Sequence, residues 1–300
     1  MKLQSLVAIL ASAFAAAAVA QNPGPERLNS VEIRSEKVDD GFYVLFGFGG
    51  VMAVSIGEQG VLAVDTQFPE LVPKINAAID KLGGGAVDFA INTHWHYDHA
   101  DGNKSLGPAG TWLISQVRSR EMMTKTNVIN TVLRPPFTQE AYPAAALPVA
   151  TFDDRMQLHF NGERIDLLHF GPAHTTGDAA VIFRGHNAVH MGDVFNASGY
   201  PFIDADNGGD LDGMIVFCES VLGELDEGAI VIPGHGQVAG YADLERYIQM
   251  LKSVRDKIAA LVAEGATLEQ VIAAQPTAEW DDTYGDPARM IDRAYATLSR

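Results

Sequence analysis

Apolar and polar positions along the chain fall into two blocks of strands, each followed by helices. From Gly41, "FYVLFGFGGVMAVSIG" and "GVLAVDTQF" are rich in β-branched and aromatic residues and broken by glycine at turn positions, which predicts strands. "PELVPKINAAIDKLGGG" then places apolar residues at helical spacing and ends on glycines, a helix with a C-terminal stop. "VDFAINTH" is short and almost continuously apolar, as a strand covered on both faces requires. "DHADGNKSLG" reads as one or two helical turns, and "GTWLISQVRSREMMTK" as a strand and a helix. The second block opens with "MQLHFNGERIDLLHFG", a hairpin turning at Asn161-Gly162, and continues with "DAAVIFRGHNAVHMGD". Helical patterns at about 210–226 and 241–264 flank the strand-like "AIVIPGHG". Residues 126–150 carry four prolines and no period, and read as a long loop of the kind that serves as a lid or binding loop. Two strand blocks with following helices predict two packed sheets with helices outside, in one domain spanning 21–300.

The first twenty residues stand apart. Lys2, the apolar "LVAILASAFAAAAVA" and the small-residue site Ala18-Val19-Ala20 have the layout of a secretory signal peptide over 1–20. A membrane anchor is the competing reading, but the apolar stretch is short, alanine-rich and followed at once by Gln21-Asn22-Pro23-Gly24-Pro25. The expected location is therefore the periplasm or the exterior. Cys218 is the only cysteine, so no internal disulfide can form, and in "MIVFCES" it reads as a small buried hydrophobe. The formal net charge of −17 repels nucleic acid and anionic membrane, leaving a small-molecule substrate as the expected partner.

Candidate chemistry is concentrated in "INTHWHYDHADG". Nine histidines serve the whole chain, yet His94, His96 and His99 fall within six positions. On extended backbone, residues two apart share a face, so His94 and His96 can address one point. Asp98 and His99 follow where the chain should turn into a helix and reach a second point. Trp95 and Tyr97 alternate with them and should point into packing. Imidazole with carboxylate suits Zn²⁺. Further segments end an apolar strand in a potential ligand: "LLHFGPAHTTGD" with His174, "AVHMGDVF" with Asp193, "AIVIPGHG" with His235 and "GVLAVDTQF" with Asp65. Each alone could be a polar cap on a strand; together with HxHxDH they point to one metal centre at a sheet edge. His159, His169, His186 and His190 lie inside strand-like segments and read as structural. Thr175 and Thr176 suit either a contact to His174 or a capped loop.

HWHYDH, then AHTTGD, GD and PGHG, resembles the metallo-β-lactamase superfamily over roughly residues 30–265. The resemblance implies an α/β fold of the αββα sandwich type, two mixed β-sheets with helices on the outer faces. It implies two zinc ions: His94, His96 and His174 on one, Asp98, His99 and His235 on the other, Asp193 bridging. Asp65 matches a landmark that supports the site from behind. Seven ligands on two metals leave coordination positions open, as catalysis needs and a closed storage site does not. A hydroxide between two zincs is a nucleophile at neutral pH, with Asp98 placed to orient it and carry its proton. Asn196, Ser198 and Tyr200, after Asp193, are candidate substrate contacts.

The fold cannot name the substrate. An exported dinuclear hydrolase resembles a periplasmic β-lactamase, opening a cyclic amide. The aspartate at 193 instead resembles the glyoxalase II and lactonase branches, which makes lactone or thioester hydrolysis the alternative. No lysine lies between Gly192 and Lys252 to grip a drug carboxylate, and Arg246 is the only cation in that span. Mononuclear iron persulfide dioxygenases retain HxHxDH, so the motif admits iron. A metal-binding protein without turnover is the remaining class.

Overall fold

The structure is a computed structural model and describes residues 25–300. The expected signal peptide over 1–20 lies outside the described residues. A short helix α1 (Pro25–Asn29) leads into β1 (Arg34–Asp39), β2 (Phe42–Phe46), β3 (Met52–Gly57) and β4 (Gly60–Val64), an antiparallel meander. Helix α2 (Val72–Lys81) then crosses to β5 (Val87–Asn92), which runs parallel to β4. Two single-turn helices, α3 (Tyr97–Ala100) and α4 (Asn103–Leu106), precede β6 (Trp112–Gln116), parallel to β5, and α5 (Val117–Met123).

The next segment departs from expectation. Residues 126–150 contain a hairpin of β7 (Asn127–Ile129) and β8 (Phe137–Gln139) and a 3-10 turn at Ala144–Ala146, ahead of β9 (Ala150–Phe152). Strands of three residues are too short to print a period of two, and Pro135 and Pro136 sit between them rather than within them. The hairpin is fastened over the HxHxDH segment: Gln139 Nε2 donates to Trp95 O at 2.8 Å, and the Phe137 ring lies 4.4 Å from that of Tyr97.

The second sheet follows with β10 (Arg155–Phe160), β11 (Glu163–Leu168), β12 (Ala180–Phe183) and β13 (Ala188–His190). Asn161 (φ 52°) and Gly162 (φ 81°) form the tight turn between β10 and β11, as the sequence predicts. Helix α6 (Leu211–Leu222) leads to β14 (Ile230–Ile232), parallel to β13, then β15 (Ala239–Gly240). The long helix α7 (Tyr241–Ala263), with α8 (Leu268–Ala273), α9 (Asp281–Tyr284) and α10 (Ala288–Leu298), completes the chain.

Strand alternation sorts the core into layers. On β4, Leu62 and Val64 face the second sheet and pack with Ile165, Val181 and Phe183, whereas Val61 and Ala63 face Ile75 and Ile79 of α2. Both faces are covered, which is why β4 is apolar throughout. The outer face of the second sheet, through Ile182 and Val189, packs on Phe217 of α6, Leu251 of α7 and Ile291 of α10. The result is the four-layer α/β/β/α sandwich, with seven strands in one sheet and six in the other. Asp65 and His94 follow the C-terminal ends of β4 and β5, while His174, Asp193 and His235 follow those of β11, β13 and β14. They meet at one edge, where the ends of parallel strands leave a crevice. Among the described residues no helix is long and apolar enough to cross a membrane.

Candidate metal centre

After β5 the backbone stays extended through His96 (φ −63°, ψ 146°) and then enters α3. His94 and His96 therefore project together, and Trp95 goes the other way into the core, fully buried. His174 joins them from the turn after β11. The three ring centroids are 4.6–4.9 Å apart and the planes stand at 83–88° to one another, like faces of a corner.

The outer nitrogen of each ring is tied down. Asp204 Oδ2 lies 2.9 Å from His96 Nε2, and Phe202 O lies 2.7 Å from His174 Nδ1. Both are acceptors, so each ring gives its proton outward and turns a lone pair inward. Thr93 Oγ1 donates to Asp65 (2.9 Å to Oδ2), leaving its own lone pair to accept from His94 Nδ1 at 3.1 Å. His94 Nε2 then has no hydrogen-bond partner although it is buried. His174 Nε2 and His96 Nδ1 face each other at 2.9 Å. Two nitrogens on one tetrahedral zinc, at bonds of about 2.0–2.1 Å, would be roughly 3.3 Å apart. An orphaned imidazole nitrogen beside two converging lone pairs fits a cation and little else.

The second group lies alongside. His99 Nε2 and His235 Nε2 are 3.2 Å apart, and Asp98 Oδ2 is 3.4 Å from His235 Nε2 and 4.0 Å from His99 Nε2. Asp65 Oδ2 accepts the Nδ1 proton of His99 at 2.7 Å, again directing Nε2 inward. Asp193 stands between the groups: Oδ1 is 3.0 Å from His99 Nε2, and Oδ2 is 3.4 Å from His235 Nε2 and 3.6 Å from His174 Nε2. Ligand atoms of three sets, His94/His96/His174, His94/His99/Asp193 and Asp98/His99/His235, each lie within 4.8 Å of one another. All seven residues named from the sequence are thus brought together, with Asp65 behind them. Close glycines permit it: a Cβ on Gly50 would fall 2.4 Å from His99 ring atoms, and one on Gly234 would fall 2.0 Å from Asp193 Oδ1.

Electrostatically the halves differ. Burial pushes the pKa of His94 well below its ordinary value, with the like charges of His99 and His174 adding to it. Burial likewise lowers His174. At His99 burial opposes the charge, yet Asp193, Asp65 and Asp98 outweigh it and hold the pKa well above normal. The same contest pushes His235 up to about 10, through Asp193 and Asp98. Asp193 is held well below the carboxylate range, because His235 and His99 outweigh its burial. Without metal, protons occupy the Asp98/His99/His235 half.

Several residues were not found from sequence. Thr93 and Asp204 orient His94 and His96, and Asn207 links Asp204 (2.9 Å) to Val128 O of the hairpin (2.9 Å). Thr93 stood beside His94 and its Oγ was a usable signal; Asp204 lies 108 positions from His96 and had none. The structure places the expected substrate contacts Asn196, Ser198 and Tyr200 on the loop after Asp193. Tyr200 is buried, its hydroxyl 2.9 Å from Asp281 Oδ1 and 3.2 Å from Thr277 O. Asn196 Oδ1 accepts from Ser198 N and Oγ, and its Nδ2 donates to Tyr200 O. These side chains close a turn whose backbone pairs with that of His235.

The remaining histidines lie outside the cluster. His169 contacts Asp178 O, His186 sits between Asp39 and Glu163, and His190 is buried against Val51 O. His159 lies exposed on β10. Thr175 donates from N and Oγ1 to Asp178, a capped loop. Cys218 is buried.

The family model described as the metallo-beta-lactamase superfamily matches residues 62–235, a stretch that contains every residue of the cluster. The chain belongs to the metallo-beta-lactamase superfamily. Solved structures agree on the fold. The DIM-1 metallo-beta-lactamase is 19% identical with a TM-score of 0.59, covering 74% of this chain and 99% of its own. A metallo-beta-lactamase from Pontibacter korlensis is 14% identical with a TM-score of 0.60, over 74% and 99%. TMB-1 is 15% identical with a TM-score of 0.57, over 74% and 97%. No curated protein matches the chain. At such identities the likeness to metallo-beta-lactamase structures concerns the fold.

Proposed function

We propose that the chain is an exported, zinc-dependent hydrolase that opens a cyclic amide or ester, with a β-lactam as the first substrate and a lactone or thioester as the alternative. The observation that carries this reading is the convergence of inward-facing ring nitrogens of His94, His96, His174 and His99 on a cluster completed by Asp98, Asp193 and His235. His94, His96 and His174 would hold one Zn²⁺, Asp98, His99 and His235 a second, and Asp193 would bridge. Zinc bound there supplies a Lewis acid for a carbonyl oxygen and lowers the pKa of water to about 7. The chain's own part is orientation and proton handling. Asp98 is held below its ordinary pKa: its burial is outweighed by His99 and His235. With 14% of its side chain exposed, it is ionised and reachable, placed to take a proton from water and pass it to the leaving atom. Export rests on residues 1–20, and the net charge of −17 supports a small-molecule substrate over nucleic acid.

The test is a panel of chromogenic lactams, lactones and thioesters with metal analysis of the purified mature protein. Expected are about two zincs, turnover on at least one class, loss on chelation and recovery with Zn²⁺. Stoichiometric iron with no hydrolysis would refute the reading.

Zinc uptake should also release protons. His235 without metal has a pKa of about 10, so at pH 8 it carries a proton that a metal must displace. Apparent affinity therefore falls as pH falls. An indicator dye in weak buffer should record about one proton or more released on filling the site at pH 8; no release would contradict a protonated His235.

A further inference from the structure

The hairpin of β7 and β8 is a light element. Two paired strands of three residues are marginal in water by themselves, so the hairpin holds its place through contacts with the rest of the fold. Ile129 is buried in the same core cluster as Trp95 and Tyr97, and Gln139 Nε2 donates to Trp95 O at 2.8 Å. One further bond leaves the hairpin from Val128, whose carbonyl oxygen accepts from Asn207 Nδ2 at 2.9 Å.

The same amide nitrogen lies 3.0 Å from Asp204 Oδ1 and 2.9 Å from Oδ2, and Asp204 Oδ2 is the acceptor that holds His96 Nε2. All three neighbours of Nδ2 are acceptors, and an amide nitrogen has two protons, so chemistry dictates how this amide is turned. One proton goes to the hairpin and the other is shared by the carboxylate. Reversed, the amide oxygen would face a carbonyl and a carboxylate. Asp204 is buried (1% exposed), and among the described residues its Oδ1 has no donor besides Asn207. Removing that donor leaves a buried carboxylate oxygen unmet, and the carboxylate then has His96 alone to fix its rotation.

The seat of Asn207 is rigid. It ends the 3-10 turn Ala205–Asn207, and the two glycines that follow leave no room for side chains: a Cβ on Gly208 would fall 2.4 Å from Thr176 Cγ2, and one on Gly209 would fall 2.4 Å from His174 O. Asp204 N donates to His174 O at 2.9 Å, and Phe202 O accepts from His174 Nδ1. From α10, the buried Arg293 donates to Asp206 Oδ2 at 2.9 Å. Residues 202–209 therefore form a platform that aims His96 and His174 together, and Asn207 fastens the hairpin to it.

We propose that Asn207 is a positioning residue that couples the 127–139 hairpin to His96, so that filling the metal centre orders the hairpin and releasing the hairpin weakens metal binding. This rests on the metal-centre reading and adds a control of that centre from outside its ligand set. The coupling is reciprocal: the factor by which metal favours the ordered hairpin is the factor by which the ordered hairpin favours metal.

Hydrogen exchange at the amides of 127–139, in the mature protein with and without Zn²⁺, tests this without any substitution. Exchange is expected to slow about ten-fold on zinc loading. Asn207→Leu keeps the branched shape and removes both donors. In it the slowing should be lost, and chelator competition should find one zinc bound about ten-fold more weakly with the other unchanged. Placed in an Asp204→Asn background, the same substitution should add little, because the path through the carboxylate is already broken. Circular dichroism checks the fold, and the wild-type exchange comparison stands even where a variant folds poorly. Hairpin exchange indifferent to zinc in wild type, or both zincs weakened equally in Asn207→Leu, overturns the coupling. If wild type takes up no zinc, the metal reading fails separately and the metal-free protein decides. Faster exchange across 127–139 with an altered His96 tautomer by nitrogen NMR in Asn207→Leu then upholds the coupling; an unaltered His96 overturns it.

Discussion

Asp193→Ala should leave the protein with no more than one zinc and lower kcat/KM by about 10³-fold or more. Asp193 is the one side chain whose oxygens lie 3.0–3.6 Å from three imidazoles drawn from both halves of the centre. It is also the largest favourable charge at His99 and His235, so its removal lowers the negative field needed by two cations held side by side. Its side chain is 15% exposed and sits in a short 3-10 turn (Gly192–Val194) rather than in a sheet, so the fold should survive, as circular dichroism would record. Asp193→Asn separates the two contributions, keeping the shape and removing the charge. Metal content after dialysis and rates on the responsive substrate are the measurements. Two retained zincs with a rate within about three-fold of wild type would remove Asp193 from the centre.

Much of this centre was legible because its signals are local. HxHxDH works through the period of an extended strand followed by a helical turn, and both are fixed within six residues. His174, Asp193 and His235 were visible because a buried strand announces its own end. What escaped was set by docking between distant segments. Asp204 orients His96 across 108 positions, a pairing that no local pattern announces. The setting of Tyr200 is equally non-local: it follows Asp193 closely in sequence, but its hydroxyl bonds Asp281, 81 positions away. The hairpin at 127–139 was hidden by strands too short to show alternation and by prolines that mark its tip.

The second large effect is expected away from the metal ligands themselves, at Asp65. Its carboxylate is fully buried and accepts from Thr93 N (2.8 Å), Thr93 Oγ1 (2.9 Å) and His99 Nδ1 (2.7 Å). Because Thr93 spends its only hydroxyl proton on Asp65, it must accept from His94 Nδ1, so one carboxylate aims the inward nitrogen of a histidine in each half. Asp65→Ala strands a backbone N–H and an imidazole N–H in the interior and should destabilise the fold by about 3 kcal/mol or more. Its backbone is left-handed (φ 64°), which asparagine adopts more readily than alanine, so Asp65→Asn isolates the electrostatic role from backbone strain. An amide can accept from Thr93 or His99, but its NH₂ then faces a donor, and one ring loses its orientation. Zinc affinity, measured by chelator competition, should fall about 10–100-fold in Asp65→Asn, while urea melts of the metal-free forms report stability independently. Wild-type zinc affinity in that variant would mean that His94 and His99 are aimed by their own packing, and that the carboxylate serves the fold alone.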